Sequence, residues 1–586
     1  MSPADHLTTR QIEREDRGDG SVLLHNRTPL PDPLPDPLDR WNICVADDPE
    51  ATFVSSRNGQ AIDTRSYGEM DAFSDSVAHV LGTAGLTKGD RIAVLGGAGI
   101  THAAIKLAAL KAGLVHVPLA PMLADSDHGR ARLTAARQAV TPRLTIDLTG
   151  KLDDENDALM TARDFENLPT AEPFSATPAT PDDPAAIYFT SGSTGDPKGV
   201  LITRAMIASN QAAYAAHWPF LTRRRPVLID WLPWHHVFGG LDNFYKMIWN
   251  GGAYHMESPP SADQMDAMAQ RIRDVRPTIH INVPYGIDLL LDHLAHDAET
   301  SAALFARLDL IFFAGAGMGA ETWRRLRETV TAHTSDAGTS PLVVSGYGAT
   351  EAASTMCLGH EPATITSEIG LPLPGHTVKL APVEDATEIR FRGPNVAPGY
   401  IGADGLDPLD LDAEGDLRTG DLGRALHPGE PERGLCFDGR LAEDFKLTTG
   451  TRVKVGALRH AILAAGAPHL QDVAIAGAGR DRVALILFPT ESAQKTLGNA
   501  QLTAALASAL AAHNRAQPGT STSVYSAALA DSPPDRSAGE ITDKGHLAQA
   551  RCLKNRAALV EQLYASPAPR GVFHPGDASK TGDSAP

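Results

Sequence analysis

Cysteine is scarce in this sequence, and long apolar runs are missing. The four cysteines, Cys44, Cys357, Cys436 and Cys552, are spread over 586 residues and form no Cys-x-x-Cys pair. This argues against a disulfide framework or a zinc motif and favours a reducing compartment. No run approaches the roughly 18 apolar residues that a membrane span needs, and the first twenty residues are polar, without the apolar core of a secretory signal. We therefore predict a cytoplasmic protein without a membrane partner.

Positive charge is also in deficit. The 52 Lys and Arg residues are outnumbered by 71 Asp and Glu, giving a formal net charge of -19. A nucleic-acid or anionic-membrane surface needs a basic patch, so both partner classes are disfavoured. Any anion that this chain binds must be held by a local arrangement of donors.

What is present is an alternation of helical and strand patterns from Tyr67 onward. This alternation is typical of parallel sheets covered by helices. Short strands and turns replace it around Gly370, and a new mixed pattern starts after Arg440. The predicted fold class is α/β: a large N-terminal region of helix-covered sheets plus a small β subdomain, and a small mobile α+β C-terminal domain.

These changes in residue pattern predict four segments. Residues up to about 30 are polar and are expected to be loosely ordered, and the proline-rich stretch LPDPLPDPLD extends them as an arm or linker. The end of the chain is rich in proline, glycine and serine, which is typical of a disordered tail. The predicted bounds are 1–40 for the arm, 41–440 for the large domain, 441–566 for the C-terminal domain and 567–586 for the tail.

The segment YFTSGSTGDPKGV, residues 188–200, has the composition of a phosphate-binding loop. Glycines let backbone N–H groups approach an anion, hydroxyls donate to phosphate oxygens and a lysine adds charge. It is not a Walker A loop, because Pro197 precedes the lysine and Gly199 leads into a strand pattern. A flexible surface loop is the alternative. The candidate phosphate ligands are Thr190, Ser191, Gly192, Ser193, Thr194, Gly195 and Lys198.

This loop resembles the phosphate-loop signature of the adenylate-forming superfamily, which includes acyl- and aryl-CoA synthetases, adenylation domains and luciferases. Three further segments resemble the family's motifs in the expected order: GYGATE at 346–351, Tyr400 followed by RTGDL at 418–422, and FDGR at 437–440. The resemblance implies an enzyme that uses ATP, Mg²⁺ and coenzyme A and that acts on a small-molecule carboxylic acid. It leaves a homodimer open.

The resemblance also implies roles for residues of these motifs. Glu351 and Thr194 are the candidate Mg²⁺ ligands, a role that suits oxygen donors. Asp421 is expected to bind the ribose hydroxyls, and Arg440 the ribose or phosphate. The alternatives are a surface carboxylate, a turn-capping aspartate and an ordinary exposed arginine. The candidate adenine segment comprises Gly346, Tyr347, Gly348 and Thr350.

Two lysines of the C-terminal region match mobile lysines of the family. Lys544, in GEITDKG, is expected to stabilise the charge that develops between the carboxylate and the α-phosphate. Lys446 is expected to serve the second, thioester-forming arrangement. The hinge position holds Ala442, where aspartate or lysine is usual.

A narrower resemblance points to the feruloyl-CoA synthase branch, through DWLPWHHVFGG, INVPYG, FFAGAGM and GEITDKGHLAQ. The sequence departs from that branch at His235, Val237, Leu241 and Tyr285. His236 is expected to close the acyl pocket, and Trp231, Trp234 and Phe238 around it indicate an aromatic-lined cavity. The candidate substrate-binding residues are Trp231, His236, Phe238, Gly239, Tyr285 and Gly315.

These motifs predict an ATP-dependent acid–CoA ligase that forms an acyl-adenylate and then a thioester on an aromatic acid such as a hydroxycinnamate. The candidate catalytic residues are Lys544, Thr194, Glu351 and His236. The alternatives are a stand-alone acyl-adenylating enzyme, a fatty-acid–CoA ligase and a non-enzymatic adenylate-binding protein. The last is disfavoured by the simultaneous presence of Lys198, Glu351, Asp421, Arg440 and Lys544.

Overall fold

The structure is a computed structural model, and it describes most of the chain. The residues it describes are 11–58, 61–152, 159–190, 198–258, 264–315, 317–333, 340–402, 405–535, 538–541 and 547–575.

The N-terminal residues are more ordered than the sequence predicts. Residues 12–26 form an antiparallel hairpin whose second strand pairs with residues 377–380 of the β-rich region. Asp36, at the end of the proline-rich stretch, caps the first helix and forms an ion pair with Arg204. The prediction of a loosely ordered N-terminus is therefore wrong for these residues, because backbone pairing to a sheet edge orders a polar segment. The elements are β1 Ile12–Asp16, β2 Val22–Asn26, α1 Pro37–Asp47, β3 Thr52–Asn58 and β4 Ala61–Ser66.

The next part of the chain alternates helices and strands, as the sequence predicts. It builds most of an eight-stranded sheet in which five neighbouring strands are parallel. Its elements are α2 Tyr67–Thr83, β5 Arg91–Leu95, α3 Ile100–Ala112, β6 Val115–Leu119, α4 Asp127–Val140, β7 Leu144–Asp147, β8 Leu159–Thr161, β9 Pro184–Thr190 and β10 Lys198–Thr203.

The following segment forms the parallel part of a second, fifteen-stranded sheet. Helices cover these strands, and the continuous apolar runs in the strands are buried on both faces. The elements are α5 Arg204–His217, α6 Phe220–Arg223, β11 Val227–Asp230, α7 Phe244–Asn250, β12 Ala253–Met256, α8 Met265–Val275, β13 Ile279–Asn282, α9 Pro284–Leu294, α10 Ala298–Phe305, β14 Leu310–Phe313, α11 Ala320–Ala332 and β15 Leu342–Tyr347.

The β-rich region after Gly370 continues this sheet with antiparallel strands, and two short strands extend the eight-stranded sheet. The elements are β16 Cys357–Leu358, β17 Glu368–Pro372, β18 Thr377–Val383, β19 Ala386–Arg392, β20 Tyr400–Gly402, β21 Gly405–Asp407, β22 Leu417–Ala425 and β23 Leu435–Arg440.

The C-terminal part has its own apolar core and a separate four-stranded sheet. Val572 and Phe573 pair with Ala528 and Ala527, so the predicted disordered tail begins too early. No described helix is long and apolar enough to cross a membrane. The elements are β24 Phe445–Lys446, β25 Arg452–Val453, α12 Val455–Gly466, β26 Leu470–Ala476, β27 Val483–Pro489, α13 Glu491–Thr496, α14 Asn499–Ala516, β28 Val524–Leu529, α15 Gln549–Asn555, α16 Ala557–Leu563 and β29 Val572–Phe573.

Candidate active site

Four parallel strands, β11, β13, β14 and β15, end at the same edge of the large sheet. Ligands of α/β proteins bind beside the carboxyl ends of such strands. The predicted acyl segment follows β11, Tyr285 follows β13, Gly315 follows β14 and Glu351 follows β15. Parallel pairing therefore brings segments that are far apart in sequence to one edge.

Two of the predicted nucleotide-binding residues donate hydrogen bonds to Asp421. Tyr347 Oη donates to Asp421 Oδ2 at 2.7 Å, and Arg440 Nε donates to Asp421 Oδ1 at 3.1 Å. Strands β22 and β23 fix this arrangement, because Asp421 and Arg440 are paired residues. The Asp421 carboxylate raises the pKa of Arg440, while burial, reinforced by Asp421, raises the pKa of Tyr347 well above its usual value. A phenol, a carboxylate and a guanidinium thus form one group, which we call the Asp421 cluster.

Glu351 and Lys198 meet around Tyr400. Tyr400 Oη donates to Glu351 Oε1 at 2.9 Å, and Lys198 Nζ lies 5.2 Å from the centre of the Tyr400 ring. Strand β20 lies beside β10, which places Tyr400 opposite Val200. The sequence grouped Tyr400 with the ribose-binding strand, whereas its hydroxyl contacts the candidate metal ligand. Glu351 lies four residues after Tyr347, so a short stretch of chain connects this group to the Asp421 cluster.

The phosphate loop itself lies outside the described residues from Ser191 to Pro197, including the predicted ligands Gly192, Ser193, Thr194 and Gly195. The residues at its two ends, Thr190 and Lys198, are among the described residues. Thr190 and Lys198 pair in antiparallel register between β9 and β10, so the chain reverses direction between them. The predicted strand–loop–strand arrangement, unlike the strand–loop–helix of a Walker A loop, matches these two ends.

The candidate adenine segment is held by tight packing. The Phe312 ring lies against Gly346, where an added Cβ would come 2.5 Å from Cε2. Phe437 lies near Tyr347, with ring centres 6.4 Å apart. Thr350 begins a single helical turn, Thr350–Ala352, that carries Glu351. Phe437 belongs to the FDGR motif, in which the sequence predicted a role only for Arg440.

The acyl segment, residues 231–243, leaves β11 and enters a π-helical turn at Val237–Asn243. Such turns are rare and occur often at functional sites. Gly239 lies so close to the Leu232 carbonyl that an added Cβ would come 2.6 Å from its oxygen. Phe238 packs edge-on to Phe312 at 5.8 Å, which links this segment to Gly346. His236 and His235 lie with their rings 4.5 Å apart.

The remaining candidate substrate residues lie at the ends of β11, β13 and β14. Trp231 packs against Gly286, where a Cβ would come 2.5 Å from the indole Cζ2. The neighbouring Tyr285 is 60% exposed. Gly315 approaches Val283, so the ends of β13 and β14 are in contact.

Trp234 does not line a cavity with Trp231 as the sequence suggested. It is fully buried, and its Nε1 donates to Tyr254 Oη at 3.0 Å. Tyr254 Oη in turn donates to Asp230 Oδ2 at 2.7 Å. A buried indole needs an acceptor for its N–H, and this one finds it inside the core.

Of the two candidate C-terminal lysines, only Lys446 is among the described residues, and its contact lies away from the Asp421 cluster. Lys446 Nζ donates to Glu384 Oε1 at 3.4 Å, on the turn between β18 and β19. Arg452 contacts Glu384 and Asp385 on the same turn. Lys544 lies outside the described residues, so its predicted role stays a prediction.

Comparison with known families matches most of the chain. The sequence profile described as AMP-binding enzyme matches residues 42–401, and that of the AMP-binding enzyme C-terminal domain matches residues 444–568. The chain belongs to the AMP-binding enzyme family.

Curated relatives of this AMP-binding enzyme are distant. Long-chain-fatty-acid–CoA ligase 6 from Mus musculus is 28% identical over 321 residues, which are 47% of this chain and 44% of that protein. Isonitrile lipopeptide synthase from Streptomyces coeruleorubidus is 27% identical over 497 residues, 80% of this chain and 31% of that protein. The chain therefore spans less than half the length of these relatives.

Solved structures match the fold of this AMP-binding enzyme. ATP-bound MatB from Rhodopseudomonas palustris aligns with a TM-score of 0.70 at 21% identity, covering 90% of this chain and all of that one. O-succinylbenzoate coenzyme A synthetase from Bacillus subtilis, in complex with AMP, aligns with a TM-score of 0.68 at 18% identity, covering 87% and 97%. These likenesses establish the predicted α/β fold with its C-terminal domain.

Proposed function

We propose that this AMP-binding enzyme is an ATP-dependent acid–CoA ligase. In the first half-reaction a carboxylate oxygen of the acid attacks the α-phosphorus of ATP, and pyrophosphate leaves. In the second, the thiol of coenzyme A attacks the acyl carbonyl, and AMP leaves as the thioester forms. Two observations carry the proposal: Tyr347 and Arg440 converge on Asp421, and Glu351 and Lys198 meet around Tyr400.

The Asp421 cluster suits a ribose. A carboxylate accepts from two vicinal hydroxyls, and both oxygens of Asp421 are already oriented by a donor. The Arg440 side chain is 61% exposed, so its remaining N–H groups are available to a ribose or phosphate oxygen. Lys198, at the end of the phosphate loop, supplies the positive charge that an acidic chain otherwise lacks for a triphosphate.

Glu351 fits a Mg²⁺ ion that is bound together with nucleotide phosphates. Such ions take one or two carboxylates from the protein, and phosphates and water complete the shell. Among the described residues no group of three His, Cys, Asp or Glu side chains forms a self-contained metal site, which agrees with a phosphate-dependent one. Glu351 and Thr194 would hold the ion, which would neutralise charge on the phosphates.

The acid class follows from the acyl segment. Phe238, Trp231 and the exposed Tyr285 give aromatic surfaces at the strand ends, which favours an aromatic acid such as a hydroxycinnamate. The named activity of the Mus musculus relative favours a fatty acid as the second candidate. A panel of hydroxycinnamates, benzoates and short and long fatty acids, scored by AMP release, decides between them. AMP release only with long-chain acids would reject the aromatic assignment.

The half-reactions test the enzyme class. We expect Lys544→Ala to abolish pyrophosphate exchange with the best acid while thioester formation from supplied acyl-adenylate persists. Lys554→Ala, a described lysine on α15, is the matched control and should leave both rates unchanged. Equal loss of both half-reactions in Lys544→Ala would contradict the assigned role, and AMP release without coenzyme A dependence would favour a stand-alone adenylating enzyme.

A further inference from the structure

A lysine is buried directly behind the acyl segment. Lys106, on α3, donates to the carbonyl oxygen of Gly240 inside the π-helical turn. Its ammonium lies 4.2 Å from the centre of the Phe244 ring and 4.9 Å from that of Trp234. Among the described residues no carboxylate forms an ion pair with it. Aromatic faces and one carbonyl therefore hold this group, and burial lowers the pKa of Lys106.

Two histidines lie beside Lys106, and their hydrogen bonds indicate the tautomer of each ring. His102 Nδ1 lies 2.8 Å from the Gly97 carbonyl oxygen, which only accepts, so His102 Nδ1 carries a hydrogen. Burial lowers the pKa of His102 to about 3, and that of His116 well below its usual value, so both rings are neutral. His102 Nε2 is then an acceptor, and it lies 2.9 Å from His116 Nε2. His116 must donate from Nε2.

It follows that His116 presents an unprotonated Nδ1 on its other side. This atom is buried and has no hydrogen-bond partner among the described residues, and the same holds for the hydroxyl of Tyr188. A buried polar group that is left without a hydrogen bond destabilises the folded state. His116, Tyr188 and Lys106 line one internal cavity, which has room for about one water molecule.

We propose that a single water molecule is bound in this cavity and that Lys106 is a positioning residue for the acyl segment. The water donates to His116 Nδ1 and accepts from Tyr188 Oη or Lys106 Nζ. An anion is disfavoured, because His116 presents a lone pair toward the cavity. A hydrogen-bond relay then runs from the Gly97 carbonyl through the two histidines to the water, and Lys106, which lines the same cavity, donates to Gly240.

The second part of this inference rests on the proposed function, because it assigns the π-helical turn to the acid site. Lys106 fixes Gly240, which is adjacent to Gly239 and close to Phe238 in that turn. We expect loss of this fixation to change the shape of the acyl segment and to have less effect on the Asp421 cluster, whose residues lie on β15, β22 and β23. The first part, the water site, is independent of any activity.

The water site is tested on the wild-type full chain. With ¹⁵N-labelled histidine, long-range ¹H–¹⁵N spectra should show His102 protonated at Nδ1 and His116 at Nε2. A high-resolution crystal structure should show one density peak within hydrogen-bond distance of His116 Nδ1 and of either Tyr188 Oη or Lys106 Nζ. A proton on His116 Nδ1, or an empty cavity, would overturn the assignment.

The positioning role is tested with Lys106→Met, which keeps length and apolar volume but removes the donor. We expect the KM for the acid to rise about tenfold, as loss of roughly one hydrogen bond predicts, while the KM for ATP stays within about twofold. Lys106→Arg, which keeps a donor, should recover part of the loss. Equal changes in both KM values, or none, would reject the role. If no acid is a substrate, the proposed function fails while the spectra still decide the water site.

Discussion

The nucleotide side and the acyl side of this site are built in different ways. The Asp421 cluster pairs a largely buried carboxylate, 13% exposed, with the Arg440 guanidinium, whose side chain is 61% exposed. The acyl segment rests on a buried layer in which Lys106, His102 and His116 are each at most 3% exposed. Exposed charges can exchange protein contacts for ligand contacts, whereas a buried neutral relay sets a shape. We therefore expect changes on the two sides to affect different kinetic parameters.

The largest kinetic effect is expected on the nucleotide side, from Glu351→Gln. The substitution removes the charge that would hold Mg²⁺ and should lower the rate of pyrophosphate exchange by about 10²- to 10³-fold, the range seen when one electrostatic group is lost. Tyr400→Phe removes only the hydroxyl that contacts Glu351 and is the matched control, with a loss below about tenfold. Equal effects of the two variants would mean that Glu351 acts only through Tyr400.

Asp421→Asn is expected to have the next largest effect. It weakens two charge-assisted hydrogen bonds and should raise the KM for ATP by about 10- to 100-fold while the KM for the acid changes little. Tyr347→Phe removes one of the two contacts and should raise the KM for ATP less. Steady-state kinetics with each substrate varied in turn provides the measurement. A rise confined to the acid KM would contradict the division into two sides.

The acyl side should contribute to acid sensitivity, together with His217, His255, His280 and His376, whose pKa values burial also lowers. Burial lowers the pKa of His102 from 6.5 to about 3, so the unfolded chain binds a proton that the folded chain does not between these values. The free energy of unfolding should therefore fall as the pH is lowered from 6.5, by about 1.4 kcal/mol per pH unit for each such histidine. Denaturant unfolding at pH 5 and pH 7 measures this. His102→Asn should reduce the slope by one proton, and an unchanged slope would contradict a neutral relay.

The smallest effect is expected at the contact of Lys446 with Glu384. Exposed ion pairs contribute little and are screened by salt, so Glu384→Gln should change the rate of the thioester half-reaction by no more than about threefold. The rate should increase, because the substitution removes the carboxylate charge that holds Lys446. Glu432→Gln, which removes the carboxylate paired with Arg14 elsewhere, is the control. A tenfold decrease would show that this contact is needed for thioester formation.

Local residue patterns were sufficient to predict the class of the fold and to recognise the motifs. Strand and helix periods reflect local geometry, and they predicted the alternating elements from Tyr67 onward and the mixed pattern after Arg440. Motif chemistry likewise pointed to Tyr347, Asp421 and Arg440, whose convergence the structure displays. The hairpin at residues 12–26 and strand β29 were missed, because polar segments acquire order from a sheet edge that is distant in sequence.

Contacts between side chains that are distant in the sequence could not be predicted from these patterns. Tyr400 contacts Glu351, and Trp234 turns into the core, because neighbouring strands and helices impose these contacts from remote parts of the chain. Lys106, His102 and His116 had no motif to mark them, since α3 and β6 read as ordinary apolar elements. Their importance arises from burial, which changes the protonation and the hydrogen-bonding needs of groups that would be unremarkable in water. A linear pattern records the identity of such residues, and folding supplies their environment.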